Sequence, residues 1–312
     1  MNDNKVWRGH VAMLVANMIW GLMSPVSKDT LNYFIAHDIS RFVLPSFRML
    51  GATIAFWILS LFVPHEHTTL SDKKKFFLAG MFSIACNQCL FIVGVSYTSP
   101  VDASVVTTML PIVTMIMAAI VLKEPITHLK VLGVITGMVG ALLLVFSNGH
   151  TTAIGGDRPI LGDALCFLAQ ISFSCYLVFF RDFIKRWSGV TLMKWMFLFS
   201  TIVFVPWQIP SILAIDWAEM PLQVILEICY TVFVATFFTF LLITVGQKRL
   251  RPTVVSSYNY VQPIMSTVVS LWWGQAVFGP VKGIAVALVF LGVYIVTQSK
   301  SRQQMLQEQN AK

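Results

Sequence analysis

The residues best suited to chemistry in this sequence are polar and aromatic side chains that interrupt long apolar segments. Polar groups inside a membrane are tolerated mainly where they face a bundle interior or a watery cavity. Amides, hydroxyls and aromatic rings bind solutes better than they catalyse reactions, and such a cavity would suit an organic solute with polar groups and an apolar or aromatic body. The candidate substrate-binding residues are Asn17, Trp20, Asn87, Gln88, Thr107, Thr108, Tyr258, Asn259 and Gln262.

Some of these residues could instead hold the helices together. Hydrogen bonding between helices alone would account for Asn17 or Asn87. Trp20 follows Asn17 by three positions, so both lie on one helical face, but Trp20 could simply be packed. The polar residues around Pro263 favour a binding site over a packing role for that region.

Two prolines predict kinks in apolar helices. Pro111 and Pro263 each remove a backbone donor, so each should kink its helix and free a carbonyl near the membrane middle. Kinked or discontinuous helices at matching positions are the best sequence indication of a transporter's binding site. Pro kinks also occur in membrane helices that have no such role.

Three charged residues could act in gating or coupling. Arg48 lies inside an apolar segment, so it must pair, reach the interface or face a cavity, and a structural or gating role is favoured over direct ligation. Asp102 follows Pro100 and is interpreted as a helix cap or a gating residue. Glu227 is interpreted as a favourable charge at a helix N-terminus, with proton coupling as the alternative.

Catalytic and metal chemistry find no support in the sequence. No cluster of His, Asp, Ser or Cys has catalytic spacing within the apolar segments. Cys86 and Cys89 share a helical face, but without nearby histidines they are a poor metal site, and the run His65 to His67 is equally weak. The phosphate-binding Gly-Lys-Ser/Thr motif is absent. We therefore predict no enzyme activity, no catalytic residues, no metal and no cofactor.

The elements that carry these residues are predicted to be membrane helices. Of the 312 residues, 56% are hydrophobic and 12% charged, whereas soluble domains carry about a quarter charged residues. Apolar stretches of about 20 residues, long enough to cross a bilayer, recur along the chain. We predict an all-α integral membrane protein whose ten transmembrane helices cover roughly 9–27, 42–63, 76–97, 100–122, 129–147, 161–180, 190–208, 221–246, 252–273 and 280–298.

The distribution of positive charge predicts the orientation. Most of the 22 lysines and arginines fall on the side of both chain ends, and the opposite side holds only Lys28, Arg41, Arg158 and Lys282. Cytoplasmic loops carry such an excess. The net charge of +8 is thus a topology signal and does not indicate nucleic-acid binding. The prediction is a multi-pass protein of the plasma (bacterial inner) membrane with both termini cytoplasmic.

An internal repeat divides the chain into two halves. Sliding the sequence along itself places Pro100 on Pro252, Pro111 on Pro263 and Gly140 on Gly292, and a shift of one residue more places Asn17 on Gln170. Because five helices is an odd number, the second half must be inverted, which is the geometry of alternating access. The predicted units are 1–148, the inverted repeat 161–300 and a cytoplasmic tail 301–312. Duplication retained only for packing is the alternative.

Several motifs resemble the EamA-like family of the drug/metabolite transporter superfamily. They are the run from Tyr97 to Ser104, Pro111 in mid-helix, Leu122 to Pro125, Gly133 with Gly140, Asn17 to Lys28, and Arg48. Where the family usually shows Gly-Glu after the ninth helix, this chain reads Gly274-Gln275. The resemblance spans nearly the whole chain and implies two EamA-like repeats in a ten-helix bundle that exports or exchanges amino acids, other metabolites or toxic compounds.

The functional prediction is a secondary transporter of a small organic solute, working in the lipid bilayer around a midplane cavity. The alternatives are an intramembrane enzyme and a non-transporting scaffold or receptor. The spacing of Gly133, Gly137 and Gly140 lets helices approach closely, either within the bundle or between two protomers of a homodimer.

Overall fold

A computed structural model describes residues 3–98, 100–147, 158–272 and 279–299, and every regular element among them is helical. The predicted tail 301–312 and the pair Gly274-Gln275 lie outside these residues. The helices are α1 (Asp3–Ala36), α2 (Val43–Ser60), α3 (Leu70–Tyr97), α4 (Pro100–Thr107), α5 (Leu110–Val121), α6 (His128–Ser147), α7 (Pro159–Phe179), α8 (Arg181–Arg186), α9 (Gly189–Leu213), α10 (Leu222–Arg249), α11 (Pro252–Ser257), α12 (Gln262–Trp272) and α13 (Pro280–Gln298).

Seven of these helices, α1, α2, α3, α7, α9, α10 and α13, are long and apolar enough to cross a bilayer. Two shorter apolar runs, Val105–Val121 and His128–Leu143, lie between them. The chain is therefore a multi-pass membrane protein. The count of ten spans stays a prediction. The helices around the two prolines are interrupted, and the apolar run His128–Leu143 of α6 is shorter than a full span.

The interruptions fall at matching places in the two halves. Helix α4 ends at Thr107 and α5 begins at Leu110, while a 3₁₀ turn, Tyr258–Val261, separates α11 from α12. Pro111 and Pro263 were predicted in mid-helix, but each is the second residue of the helix that follows the break. The first turn of a helix has no use for the N–H that proline lacks, so the ring is accommodated there without a clash.

Two π-helical segments, which we call the wide turns of α3 and α10, shape the helices that face the interruptions. Residues Met81–Cys86 of α3 and Tyr230–Phe238 of α10 are π-helical, and these stretches correspond in the predicted repeat. The hydroxyls of Thr236 and Thr239 bond the carbonyls five residues earlier, at 2.7 and 2.8 Å. Such turns occur frequently at functional sites. The one in α3 directly precedes Asn87 and Gln88 and so sets their direction.

Helices α6 and α13 cross closely through their glycines. A Cβ added to Gly292 would meet the backbone of Gly137, and one added to Gly137 would lie 2.5 Å from the ring of Tyr260. Tyr260 itself donates from its hydroxyl to the carbonyl of Val134, at 3.0 Å. The small-residue spacing therefore serves packing within this chain, where it joins the two halves.

Charged residues join the two halves at one end of the bundle, which we call the basic end. Glu124, in the loop after α5, lies 3.1 Å from Lys130 of α6 and 3.4 Å from Arg181 of α8. Both Glu124 and Lys130 are buried. Arg251 contacts Ser299 nearby. Glu124, Lys130 and Arg181 therefore form a charged cluster that joins the first half of the chain to the second.

At the opposite end, Lys28 occupies a helix C-terminus. Its ammonium donates to the carbonyls of Val95, Ser96 and Thr98 at 3.0 to 3.3 Å, where the last carbonyls of α3 lack helical partners. The Thr98 hydroxyl in turn donates to Asp163 at 2.7 Å. This base therefore contacts helix carbonyls and does not reach into the interior.

Glu66, in the loop between α2 and α3, accepts hydrogen bonds from the backbone N–H of Ser188 at 3.2 and 3.1 Å, where α9 begins. Partial burial works against ionisation, but hydrogen bonds from Thr191 and Ser188 and the charge of Lys248 prevail and lower the pKa of Glu66. A lowered pKa adds stability above the ordinary carboxyl range, and that stability is lost as the pH falls through the folded-state pKa.

We therefore expect Glu66→Gln to lower the melting temperature slightly at neutral pH and to have less effect below the carboxyl range. The effect is small because the group is only partly buried, so solvent screens its interactions. Thermal unfolding of detergent-purified protein at several pH values measures it. A deficit that is the same at every pH would contradict the assigned role of the carboxylate.

Candidate functional site

A cavity lies between the interrupted helices, near the middle of the bundle. Its unfilled space, counting the open mouth, is about 530 Å³. Its walls come from both halves of the chain. The lining residues are Trp20, Met23, Arg48, Asn87, Gln88, Phe91, Thr107, Gln170, Phe173, Phe240, Asn259 and Gln262.

Aromatic rings form one wall of the cavity. The Trp20 indole donates to the carbonyl of Ala235 in the wide turn of α10, at 3.0 Å. Its ring meets Phe173 and Phe240 edge to face, with centroids 6.0 and 5.9 Å apart, a favoured arrangement for aromatic pairs. The indole is therefore fixed in place and presents a rigid apolar surface to the cavity.

Asn17 does not line the cavity but holds a residue that does. Its amide nitrogen donates to the carbonyl of Met13 at 2.9 Å, and its oxygen accepts from the Gln262 amide at 3.0 Å. Gly21, one turn along α1, brings the two helices together, since a Cβ there would lie 2.6 Å from the Gln262 carbonyl oxygen. Asn17 thus makes a hydrogen bond between helices, as one of the two sequence-based interpretations allowed, and its direct part in binding stays a prediction.

Gln88 has the most unusual surroundings of the cavity residues. Its side chain is buried, and neither its oxygen nor its nitrogen has a hydrogen-bond partner among the described residues. Its neighbour Asn87 is satisfied by the carbonyl of Ala169 at 2.9 Å. A buried amide without partners costs about 1–3 kcal/mol, so Gln88 is a group that a bound solute could satisfy.

Arg48 also faces the cavity and is only 2% exposed. Its Nε donates to the Thr236 hydroxyl at 2.8 Å. That hydroxyl donates onward to the carbonyl of Thr231 within the wide turn of α10. Over the described part of the chain, no carboxylate forms an ion pair with the guanidinium. Among the options that the sequence left open, the structure shows Arg48 at a cavity wall.

Several predicted residues lie away from the cavity. The Tyr258 hydroxyl lies 2.7 Å from Nδ1 of His10, and the Thr108 hydroxyl donates to the carbonyl of Val105. Pro111 and Pro263 shape the interruptions without lining the cavity. The side chain of Asp102 lies outside the described residues, although its backbone belongs to α4.

Glu227 was expected at a helix N-terminus, but it lies in the second turn of α10. Its carboxylate accepts from the Thr30 hydroxyl at 2.8 Å and from the Gln223 amide at 3.1 Å. Gln223 also bonds Asp29 at 3.0 Å. The helix begins earlier than the charge because Pro221 precedes its first residue. Glu227 thus belongs to a polar group that joins α1 to α10 outside the cavity.

Sequence reasoning missed some lining residues. Gln170 carried a signal, because the repeat places it on Asn17, and both are buried amides. Met23, Phe91, Phe173 and Phe240 carried none. An apolar residue in an apolar helix gives no sign of whether it faces lipid, a neighbouring helix or a cavity.

Helices that cross a membrane and enclose a partly polar cavity are the architecture expected of a transporter built from repeats. The EamA-like transporter family matches residues 7–146 and again 160–298. The chain belongs to this family, and it functions as a membrane transporter.

Its relatives include proteins named as transporters, and one solved structure shares its fold. The uncharacterized transporter YyaM of Bacillus subtilis is 25% identical over 91% of this chain and 92% of its own length. A WAT1-related protein of Arabidopsis thaliana is 26% identical over 93% and 78%, and an uncharacterized transporter of Archaeoglobus fulgidus is 24% identical over 93% and 99%. A crystal structure at 16% identity shares the fold, with a TM-score of 0.72 over 95% of this chain and 98% of that one.

Proposed function

We propose that the protein is a secondary transporter, an exporter or exchanger of small organic metabolites such as amino acids, that works by alternating access around the central cavity. The observation that carries the proposal is the position of this cavity between two interrupted helices at corresponding places in the two halves. Binding sites at such interruptions are typical of transporters built from inverted repeats.

In this proposal the repeats 1–148 and 161–300 are inverted relative to each other and rock around the site. Bonds between the halves occur at both ends of the bundle and would break alternately. At the basic end Glu124 contacts Arg181, and at the opposite end Thr98 bonds Asp163 and Thr30 bonds Glu227. The basic end, with both termini, would face the cytoplasm.

The remaining candidate roles follow from this arrangement. Gln88, Thr107, Asn259 and Gln262 would bind the polar part of the solute. Pro111, Pro263 and Asp102 would act where the interrupted helices bend. Glu227 would take up a proton during the cycle, since it lies with Asp29 near a contact between the halves.

Uptake into proteoliposomes tests the proposal. Reconstituted protein should move at least one member of a panel of labelled organic acids, amino acids and nucleosides, with or without a pH gradient. Protein-free vesicles give the background. If no solute in the panel moved, the proposed transport of small metabolites would be contradicted.

Gln88 provides a variant in which stability and transport should change in opposite directions. Gln88→Leu removes a buried amide that lacks partners, so the unfolding free energy should stay level or rise by about 1 kcal/mol. Transport of a solute that bonds this amide should fall about ten-fold, the equivalent of one lost hydrogen bond.

The matched control is Gln298→Leu, at an exposed position at the end of α13. It should leave both thermal stability and uptake unchanged. Full uptake by Gln88→Leu would remove Gln88 from the proposed site.

A further inference from the structure

Arg48 is the one charged side chain among the described residues that line the cavity. A buried charge is costly unless it is paired and hydrogen-bonded, and a guanidinium keeps its proton in proteins. The group therefore places a full positive charge at the wall of the proposed transport site. Its retention there requires a physical reason.

The protein satisfies only part of this guanidinium. An arginine has five N–H donors in a planar fork. The Nε donates to Thr236 at 2.8 Å, but no described residue accepts a hydrogen bond from the two terminal nitrogens. The two terminal nitrogens can therefore bind a group that the solute brings.

The other walls of the cavity favour a particular solute. Trp20, Phe91, Phe173 and Phe240 provide apolar surface, and Gln88 offers an amide without described partners. No Asp or Glu lies among the described lining residues. A single positive charge beside aromatic rings is complementary to an apolar body with one negative charge.

From these observations we infer that the solute is an organic monocarboxylate whose carboxylate pairs with the terminal nitrogens of Arg48. The planar fork matches a carboxylate in bidentate geometry. A phosphate dianion would leave a second negative charge without a partner in a buried site. The ammonium of an amino acid would likewise lack a carboxylate partner there. This assignment rests on the proposed transport function and narrows its solute class to organic acids without an ammonium, which sets amino acids aside.

Calorimetric titration of the detergent-purified full chain tests the assignment. The probes are acetate, hexanoate and 3-phenylpropanoate, their primary amides, and L-phenylalanine. We expect at least one acid to bind about ten- to a hundred-fold more tightly than its amide, the difference expected for a charge-assisted hydrogen bond. We also expect 3-phenylpropanoate to bind more tightly than L-phenylalanine.

Variants locate the recognition. Arg48→Gln should abolish the difference between acid and amide, and Arg48→Lys should keep part of it, because lysine retains the charge without the fork. Arg41→Lys, at the opposite end of the bundle, is the matched control and should behave as wild type. If Arg48→Gln does not fold, the comparison of acids with amides on the wild-type protein still decides the question.

The assignment is overturned if no acid binds, if the amides or L-phenylalanine bind as tightly as the acids, or if Arg48→Gln keeps the preference. Uptake of the same labelled acid into proteoliposomes separates this result from the proposed function. Binding without uptake would contradict transport and leave the carboxylate site standing. Equal uptake of acid and amide would contradict the carboxylate site and leave transport standing.

Discussion

Replacement of Glu124 with glutamine should destabilise the protein by about 3–5 kcal/mol, the usual cost of removing one partner from a buried ion pair. Lys130 lies 3.1 Å from Glu124, and its side chain is 2% exposed. Glutamine keeps the shape of the side chain but leaves that ammonium buried without its counter-charge. Arg181, 3.4 Å from the same carboxylate, would lose its contact with the first half as well.

A second substitution distinguishes charge burial from a general packing defect. Adding Lys130→Met to Glu124→Gln removes the stranded ammonium, so the double variant should recover a large part of the lost stability. Glu219→Gln, in an exposed loop, should have no effect. Thermal unfolding in detergent measures all four proteins. A double variant that is less stable than the single one would contradict the assigned pairing.

Replacement of Gly292 with leucine should have the second large effect. It should lower the free energy of unfolding by an amount at or above the upper end of the ~1–3 kcal/mol usual for overpacking. The atoms that a side chain there would meet belong to the backbone of Gly137 and Gly133, so no rotamer change can make room. The crossing of α6 and α13 would open, and the two halves would separate along it.

Gly279→Ala is the matched control, because no described residue lies within 4 Å of a Cβ at that position. Unfolding temperature and the elution volume of the detergent-purified protein report the two effects. An unchanged melting temperature for Gly292→Leu would show that α6 and α13 do not cross closely at this glycine.

The sequence identified much of the cavity wall because polar residues in apolar helices have few favourable places to lie. Asn87 and Gln88 were selected on that rule, Asn259 and Gln262 because they also surround Pro263, and Trp20 because it shares a helical face with Asn17. The structure brings all five to one cavity. Their binding of a solute stays a prediction. Tyr258 followed the same rule but found a partner in His10, which the sequence could not reveal because the two are distant in the chain.

The sequence indicated where two helices are irregular, but not that each is divided into two helices at that place. Pro111 and Pro263 indicated these places correctly, but proline is compatible both with a kinked helix and with the start of a new one. The choice depends on local bonds such as that from the Thr108 hydroxyl to the Val105 carbonyl. The wide turn of α10 likewise depends on Thr236 and Thr239, whose hydroxyls have several acceptors within reach.

The surroundings of Arg48 could not be decided from the sequence. Its place in an apolar segment required a partner or a cavity, but an interhelical ion pair was equally compatible with the sequence. Only the folded arrangement shows Thr236 at its Nε and no described carboxylate nearby. That difference favours the proposed recognition of a solute by Arg48 over the structural or gating role that the sequence favoured.

The most direct test of alternating access is the accessibility of a cysteine at Asn259, which is 5% exposed and lines the cavity. Cys86, Cys89, Cys166, Cys175 and Cys229 would first be replaced. Membrane-impermeant maleimide would then be applied to proteoliposomes from one side or the other. Alternating access predicts that the cysteine is labelled from each side. The ratio of labelling from the two sides should shift when a transported solute is added. Ions should not leak across the proteoliposome membrane. Labelling from one side only, unchanged by every transported solute, would contradict it.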